Sequence, residues 1–383
     1  AYDQLSEIRG RDLRFTPGET AAFMDRAVAL PLRDETLAVL AERTEGWAVG
    51  LRLAALILSN GGDADRQVAQ LHADNRHVMD YLMNQVLARI PPDLEDFLLK
   101  TSILDMLSGP LCDAVMGAEG VAPRGQANLR WLEDANFFTM CMDEEGVWYR
   151  YHHLFHGLLR SRLERTLDAG AIAALHLRAS AWHAGRGYID EALRHALAGG
   201  DTQGAVQLVA QHRQHLLNTE QWQRLERWLA VFPEATVAQH PDLLLAKAWS
   251  ARAGRADPQT VQVRIKQAQA LVDRMTGDPA HLAQFQSEID TLRCIAMTFA
   301  ANDPQGVITL ATRALATLPR AWYLVRATAR LHLAAAYQMA GDLERAHAVV
   351  AEGQREDADD PHLRRVRNAA SGSSPSLRER LAI

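Results

Sequence analysis

The imidazoles of His152, His153 and His156 are the first side chains in this sequence whose type and spacing could do chemistry. His152 and His156 lie four residues apart, so on a helix they share one face, as the ligands of zinc helices do. No carboxylate or cysteine nearby completes a ligand set, which leaves a structural role, or contact with a nucleotide held by a neighbouring domain. The cysteines Cys112, Cys141 and Cys294 form no CxxC pair and read as small buried hydrophobes in a reducing compartment. Lysine occurs only at Lys100, Lys247 and Lys266, none of them after a glycine. The phosphate-gripping GxxxxGK[ST] loop is therefore absent. No Ser/His/Asp order, glutamate pair or glycine-rich loop suggests catalysis, so the expectation is no enzyme, no catalytic residue and no metal.

The composition limits the remaining possibilities. The chain has 383 residues, 48% of them hydrophobic, enough for two to four domains with buried cores. A net charge of -6 argues against a surface built to neutralise phosphates. No apolar run reaches the ~18 residues of a membrane span and the start has no signal-peptide pattern, so the protein is expected to be soluble and cytoplasmic, with no membrane partner.

The elements that must position these residues are helical. Thr16-Pro17-Gly18-Glu19 reads as an N-cap, a first-turn proline and a capping-box acid after a short strand stub. Helical periodicity then runs from 17 to about 88, with faces Ala22, Phe23, Ala27 and Leu30; Leu37, Leu40 and Ala41; and Leu51, Leu53, Ala54, Ile57 and Leu58. Asn60-Gly61-Gly62 ends the third helix, and 77–87 form a fourth. Helices over 93–101, 110–116 and 126–135 precede a hairpin of 137–142 and 147–151 around the acidic turn Asp143-Glu144-Glu145-Gly146. Three helices, a hairpin and a closing helix from His153 to about Leu167 make a winged helix. Its third helix carries Arg130 against Glu133 and Asp134, with Trp131 and Leu132 expected inside, which suits a protein-facing unit better than a DNA reader.

Residues 171–355 read as helix after helix. Gly187 to Ala192 and Gly341 to Ala346 both fit G-x-x-[DE]-x-A, with weaker echoes at Gly200 to Ala205 and Ala301 to Gly306. The spacing of about 40 residues between the last echo and the Gly341 match has the size of helix-pair repeats. A tetratricopeptide-like solenoid and an irregular bundle both remain open on this pattern. Trp182, Trp222, Trp228, Trp249, Trp322 and Tyr323 are expected to pack between helix layers, some lining a concave ligand face.

Several phrases together resemble one family: 12–16 (DLRFT), 43–56 (RTEGWAVGLRLAAL), 99–105 (LKTSILD), 111–115 (LCDAV) and 148–155 (WYRYHHLF). They are similar, in order and spacing, to the large ATP-binding LuxR-type regulators of the MalT-like kind, signal-transducing ATPases with numerous domains. The resemblance implies a mainly α chain, a helical arm plus winged helix followed by a tetratricopeptide-like right-handed α-superhelix. Its limits would be an ATPase-strand remnant at 1–16, the arm at 17–88, the winged helix at 89–170, a repeat sensor at 171–355 and a charged, Ser-rich tail at 356–383. On this alignment the chain begins at the last ATPase strand and stops within the sensor.

The resemblance also carries partners and sites. It implies ATP and ADP as ligands of the longer protein, with no cofactor in this stretch, and contact with that protein's ATPase domain. It implies a small-molecule inducer or regulatory protein on the repeats, DNA only through a further C-terminal domain, and a homo-oligomer on activation. Thr44-Glu45-Gly46-Trp47-Ala48 falls where the class has a T-x-G-x-P turn against adenine, with Ala48 in place of proline, making Gly46 and Trp47 candidate nucleotide contacts. Tyr151-His152-His153-Leu154 falls where related switch proteins have Met-His-Asp-Leu, so His152 would reach the ADP β-phosphate, with His153 in place of the aspartate. The reading from another class is a plain tetratricopeptide-like scaffold with no nucleotide link.

Overall fold

The computed structural model describes residues 14–28, 32–44, 46, 48–59, 90–117, 123–135, 137–254, 257–300 and 303–359. Most of the expected strand stub, the helix at 77–87, Trp47 and the tail beyond 359 lie outside the described residues. The chain divides into two compact units, Ala1–Thr202 and Gln203–Ile383.

The first unit opens with three arm helices, α1 (Pro17–Ala27), α2 (Asp34–Thr44) and α3 (Ala48–Ser59). The expected capping box starts α1: Glu19 N–H donates to Thr16 Oγ1 and Thr16 N–H to the Glu19 carboxylate. The expected face of α1 is corrected. Thr20, Met24 and Val28 point inward, while Ala22 and Ala27 are exposed and Leu30 is outside the described residues. Alanine is too small to fix which stripe of a helix is buried, and the long Met24 side chain decides it. Met24, Leu40, Leu51, Ala54 and Leu58 make the arm core, with Phe15, Leu37 and Leu158 packed against it.

The winged helix follows as α4 (Pro92–Thr101), α5 (Gly109–Met116), α6 (Gly125–Asp134), strands β1 (Thr139–Cys141) and β2 (Tyr149–Tyr151), and α7 (His153–Thr166). The strands are antiparallel, pairing Thr139 with Tyr151 and Cys141 with Tyr149, and Leu107 adds a bridge to Tyr149. Its core holds Phe97, Leu98, Ile103, Leu111, Leu129, Leu132, Tyr149, Phe155 and Leu159. Helices α5 and α6 cross so closely that a Cβ on Gly125 would lie 2.3 Å from the carbonyl oxygen of Gly109. Asp113 secures the crossing by accepting from the amides of Gly125 and Arg124 at 2.8 and 3.1 Å. At the tip of the wing, Asp143 accepts from the amides of Val147 and Trp148.

Two expectations about single side chains fail here. Trp131 is 45% exposed and not internal; on α6 the buried stripe is Leu129 and Leu132. Cys112 and Cys294 are buried, but Cys141 is only partly so, its thiol turned toward the carbonyl of Asp143 at the turn end of the hairpin.

The unit closes with a helix pair, α8 (Ala169–Ala184) and α9 (Ile189–Ala198). Gly187 turns the chain with φ of 80° and Ala192 is fully buried against α8, which is why the repeat motif pairs a glycine with a small residue. His176, His183 and His195 are buried between the two helices; the Nδ1 atoms of His176 and His195 are 2.8 Å apart, and the rings of His183 and His195 stack.

The second unit runs through α10 (Thr202–Asn218), α11 (Trp222–Ala230), α12 (Glu234–Val237), α13 (Pro241–Ala253), α14 (Pro258–Val272), α15 (Pro279–Ala300), α16 (Pro304–Thr317), α17 (Tyr323–Met339) and α18 (Leu343–Asp359). From α13 onward each long helix packs on the next. Gly341, with φ of 82°, makes the α17–α18 turn as Gly187 makes the earlier one, and Ala346 is buried beyond it. Trp228 and Trp249 are buried between layers as expected. The chain is therefore mainly α, an arm and a winged helix followed by tetratricopeptide-like helix pairs.

An ion network anchors the second unit. Arg213 on α10 donates both Nη groups to Glu288 on α15, at 2.7 and 2.8 Å, and its Nε to Asp242 on α13 at 2.9 Å. Trp249 Nε1 also donates to Glu288, at 2.8 Å. Arg213 and Glu288 are almost wholly shielded from solvent, so the fourfold hydrogen bonding compensates their desolvation. At the far end Arg326 donates to the carbonyls of Leu315 and Leu318 and pairs with Glu356 on α18.

Candidate functional site

The candidate positions converge where α2 ends. Thr44, the last residue of α2, is fully buried, and its hydroxyl turns back to the carbonyl of Leu40 at 2.8 Å. Gly46 follows with φ of 69°, and its carbonyl accepts from the amide of Phe15 at 2.7 Å. A Cβ there would lie 2.2 Å from the Phe15 carbonyl oxygen, so this turn admits only glycine.

His152 arrives from the other side. It is the N-cap residue of α7; its amide donates to the carbonyl of Phe138, and its ring, 5% exposed, stacks on that of His153 at 4.7 Å. Its Nε2 lies 3.1 Å from the carbonyl oxygen of Thr44. A carbonyl can only accept, so Nε2 carries the proton and donates. His156, one turn on, donates its own Nε2 to the carbonyl of Ser102 at 2.6 Å. Ser102 is the C-cap of α4.

The two imidazoles thus do the same work at different places. Each supplies a donor to an orphan carbonyl at a helix C-terminus, His152 for α2 and His156 for α4, where the helix dipole favours a donor. They face different acceptors and do not converge on one point, and among the described residues no group of three or more His, Cys, Asp or Glu could hold a metal ion. Burial lowers the His156 pKa, which keeps its imidazole neutral. Beneath them Tyr151 Oη and Thr101 Oγ1 share a hydrogen bond of 2.7 Å, and burial pushes the phenol well above its ordinary pKa.

Of the three site residues read from sequence, the structure brings Gly46 and His152 to the two sides of Thr44, and Trp47 lies outside the described residues. Sequence reasoning missed His156 as a helix cap, and it missed the His176, His183 and His195 cluster and the Arg213 network. Spacing singled out His156 but not its role, and it marks none of the others; their partners lie on other elements. Among the described residues of the site none is an activated nucleophile or part of an acid–base pair. What it offers is a directional hydrogen bond between two structural blocks, beside the shared apolar contact of Leu158, which packs on both the arm core and the winged-helix core.

The winged helix is joined to the helical arm here, and its third helix exposes Arg130, Trp131, Glu133 and Asp134. Residues 83–170 match the MalT winged helix domain family. The chain is 30% identical over 348 residues to the HTH-type transcriptional regulator MalT of Yersinia enterocolitica, covering 90% of this chain and 37% of that protein. MalT of Serratia proteamaculans matches similarly, and the serine/threonine-protein kinase PknK of Mycobacterium tuberculosis is 34% identical over 298 residues, covering 78% of this chain and 26% of the kinase. The chain thus spans between a quarter and two fifths of the length of these relatives. A solved signal transduction ATPase with numerous domains and a tetratricopeptide repeat sensor, from Pyrococcus horikoshii, aligns over 90% of this chain and 54% of its own at 12% identity, with a TM-score of 0.48. Among the described residues no helix is long and apolar enough to cross a membrane.

Proposed function

We propose that this chain is the relay and inducer-sensing portion of a MalT-like, ATP-dependent transcriptional regulator, and that it is itself non-catalytic. In this reading the arm over 17–88 and the winged helix over 89–170 pass the nucleotide state of an ATPase domain, ADP or ATP, to the helix pairs of 171–355. Those pairs take a small-molecule inducer or a regulatory protein. DNA is contacted only through a separate C-terminal domain, and the activated protein oligomerises.

The observation that supports this reading best is the His152 to Thr44 hydrogen bond. It puts the arm turn and the winged-helix histidine, the two segments whose family counterparts meet nucleotide, at one place. Gly46, Trp47 and His152 are the candidate nucleotide contacts. A donor that can lose its acceptor when two blocks separate gives the two states different contacts, which is what a ligand needs in order to shift them.

The test is nucleotide titration of the full-length protein that carries this segment, read by light scattering. ADP is expected to hold a monomer, and ATP with inducer to produce an oligomer. The reading fails if ADP neither binds nor changes the oligomeric state and His152→Ala has no effect. The isolated segment is expected to show neither ATP turnover nor a salt-resistant, sequence-specific gel shift.

A further inference from the structure

We infer that the cleft between α11, α13 and α14 is a binding site for a small organic anion, which competes for its two cations with the chain's own Glu234. The inference rests on the reading of the repeats as a sensing part and names the chemistry they would sense.

The cleft has a volume of about 270 Å³, just under the usual range for drug-sized ligands, so its occupant is small. Leu229, Ala230 and Ala251 give it an apolar lining, and Lys247 and Arg264 supply its positive charge. Both cations are drawn to one carboxylate: Lys247 Nζ pairs with Glu234, and Arg264 Nη2 lies 2.9 Å from the other Glu234 oxygen. Glu234 sits on the short helix α12 and is 61% exposed, whereas each cation is only about a fifth exposed. Glu234 lies outside the cleft lining, and the acid that does line it, Glu226, is engaged by the hydroxyl of Ser250 at 2.8 Å.

Two sheltered cations that share one solvent-washed carboxylate are held weakly, because water and salt screen the exposed partner. A ligand that brings its own carboxylate or phosphate, and a short hydrocarbon for the apolar lining, offers the cations the same charge in a drier place. Glu234 is then a stand-in for the ligand, and its departure frees α12 from α13 and α14. Binding would thus be coupled to a local rearrangement of the repeat array.

The experiment is calorimetric titration of the purified chain with hexanoate, hexyl phosphate and neutral hexanol. At least one anion is expected to bind and hexanol not to. Lys247→Met and Arg264→Met should each weaken anion binding about tenfold or more, as loss of a charge-assisted contact does. Glu234→Gln should tighten it several-fold, a gain that misfolding cannot produce. Preference for hexanoate assigns a carboxylate ligand, preference for hexyl phosphate a phosphate, and equal binding the negative charge alone. The inference is overturned if neither anion binds the Glu234→Gln chain, if hexanol binds as well as the anions, or if the cation replacements leave affinity unchanged. None of these readouts involves nucleotide, so their failure is separable from failure of the relay.

Discussion

The imidazole of His152 donates to the carbonyl oxygen of Thr44 across a separation of 108 residues, joining the winged helix to the last turn of an arm helix. Removing the donor leaves a buried carbonyl at a helix end unsatisfied, at a cost of about 1–3 kcal/mol. His152→Ala should therefore lower the unfolding free energy by that amount and raise amide exchange across α1–α3 above that of α4–α7. A uniform change in exchange over both blocks would mean that His152 does not hold the arm.

Gly46 is predicted to tolerate no side chain. Gly46→Ala forces a methyl against the Phe15 carbonyl in a left-handed conformation that costs an L-residue about 1–2 kcal/mol before any clash. Thermal unfolding should shift down, and the Phe15 amide should lose its protection because its acceptor is Gly46. An unshifted melting curve would contradict the geometry of this turn.

The Arg213 and Glu288 pair should behave asymmetrically. Glu288→Ala removes the partner of both Nη groups and leaves the guanidinium only Asp242; in the intact protein burial lowers the Arg213 pKa, and Glu288 and Asp242 outweigh it and hold the pKa above the ordinary arginine value. That single change should cost about 3–5 kcal/mol. Replacing both partners with Met and Leu should recover most of the loss in chemical denaturation. If the double variant is as unstable as the single one, the network does more than neutralise itself.

Acid should loosen the α8–α9 pair before it titrates most carboxylates. Burial, reinforced by the Arg160 and Arg194 cations, depresses His176 to about 4, and burial with Arg194 leading the charged neighbours depresses His195 to about 3, against an ordinary 6.5. His183 is lowered as well, chiefly by burial. A folded-state pKa below the unfolded one means that the unfolded chain takes up protons first. The stability is fully present above pH 6.5 and is lost as pH falls from there toward about 4 for His176 and about 3 for His195, each tenfold displacement being worth about 1.4 kcal/mol. Urea midpoints should fall between pH 6.5 and 4.5 in the wild type and fall less steeply in His195→Gln; a flat wild-type profile would exclude this.

Much of the fold was legible because its signals are local. The capping box at Thr16, the hairpin around Asp143 and the glycine turns at 187 and 341 each rest on a few adjacent residues. The face of α1 was misread because alanines carry too little area to define it, and Trp131 because an aromatic on a short helix has no intrinsic side. The capping role of His156 and the ion network of Arg213 were missed for another reason. Their roles exist only relative to Ser102 and Glu288, which topology and not spacing brings near. The bond from His152 to Thr44 was not legible, since nothing within either segment points to the other; the family resemblance offered Gly46 and His152 only as separate candidate nucleotide contacts.

Leu158, itself only half-buried, packs against two cores at once, that of the arm and that of the winged helix. Neither block can be lifted from the other without wetting that side chain and the walls it seals, which resists partial opening and favours all-or-none separation. A domain pair built this way would ignore weak or fleeting stimuli and respond sharply to strong ones.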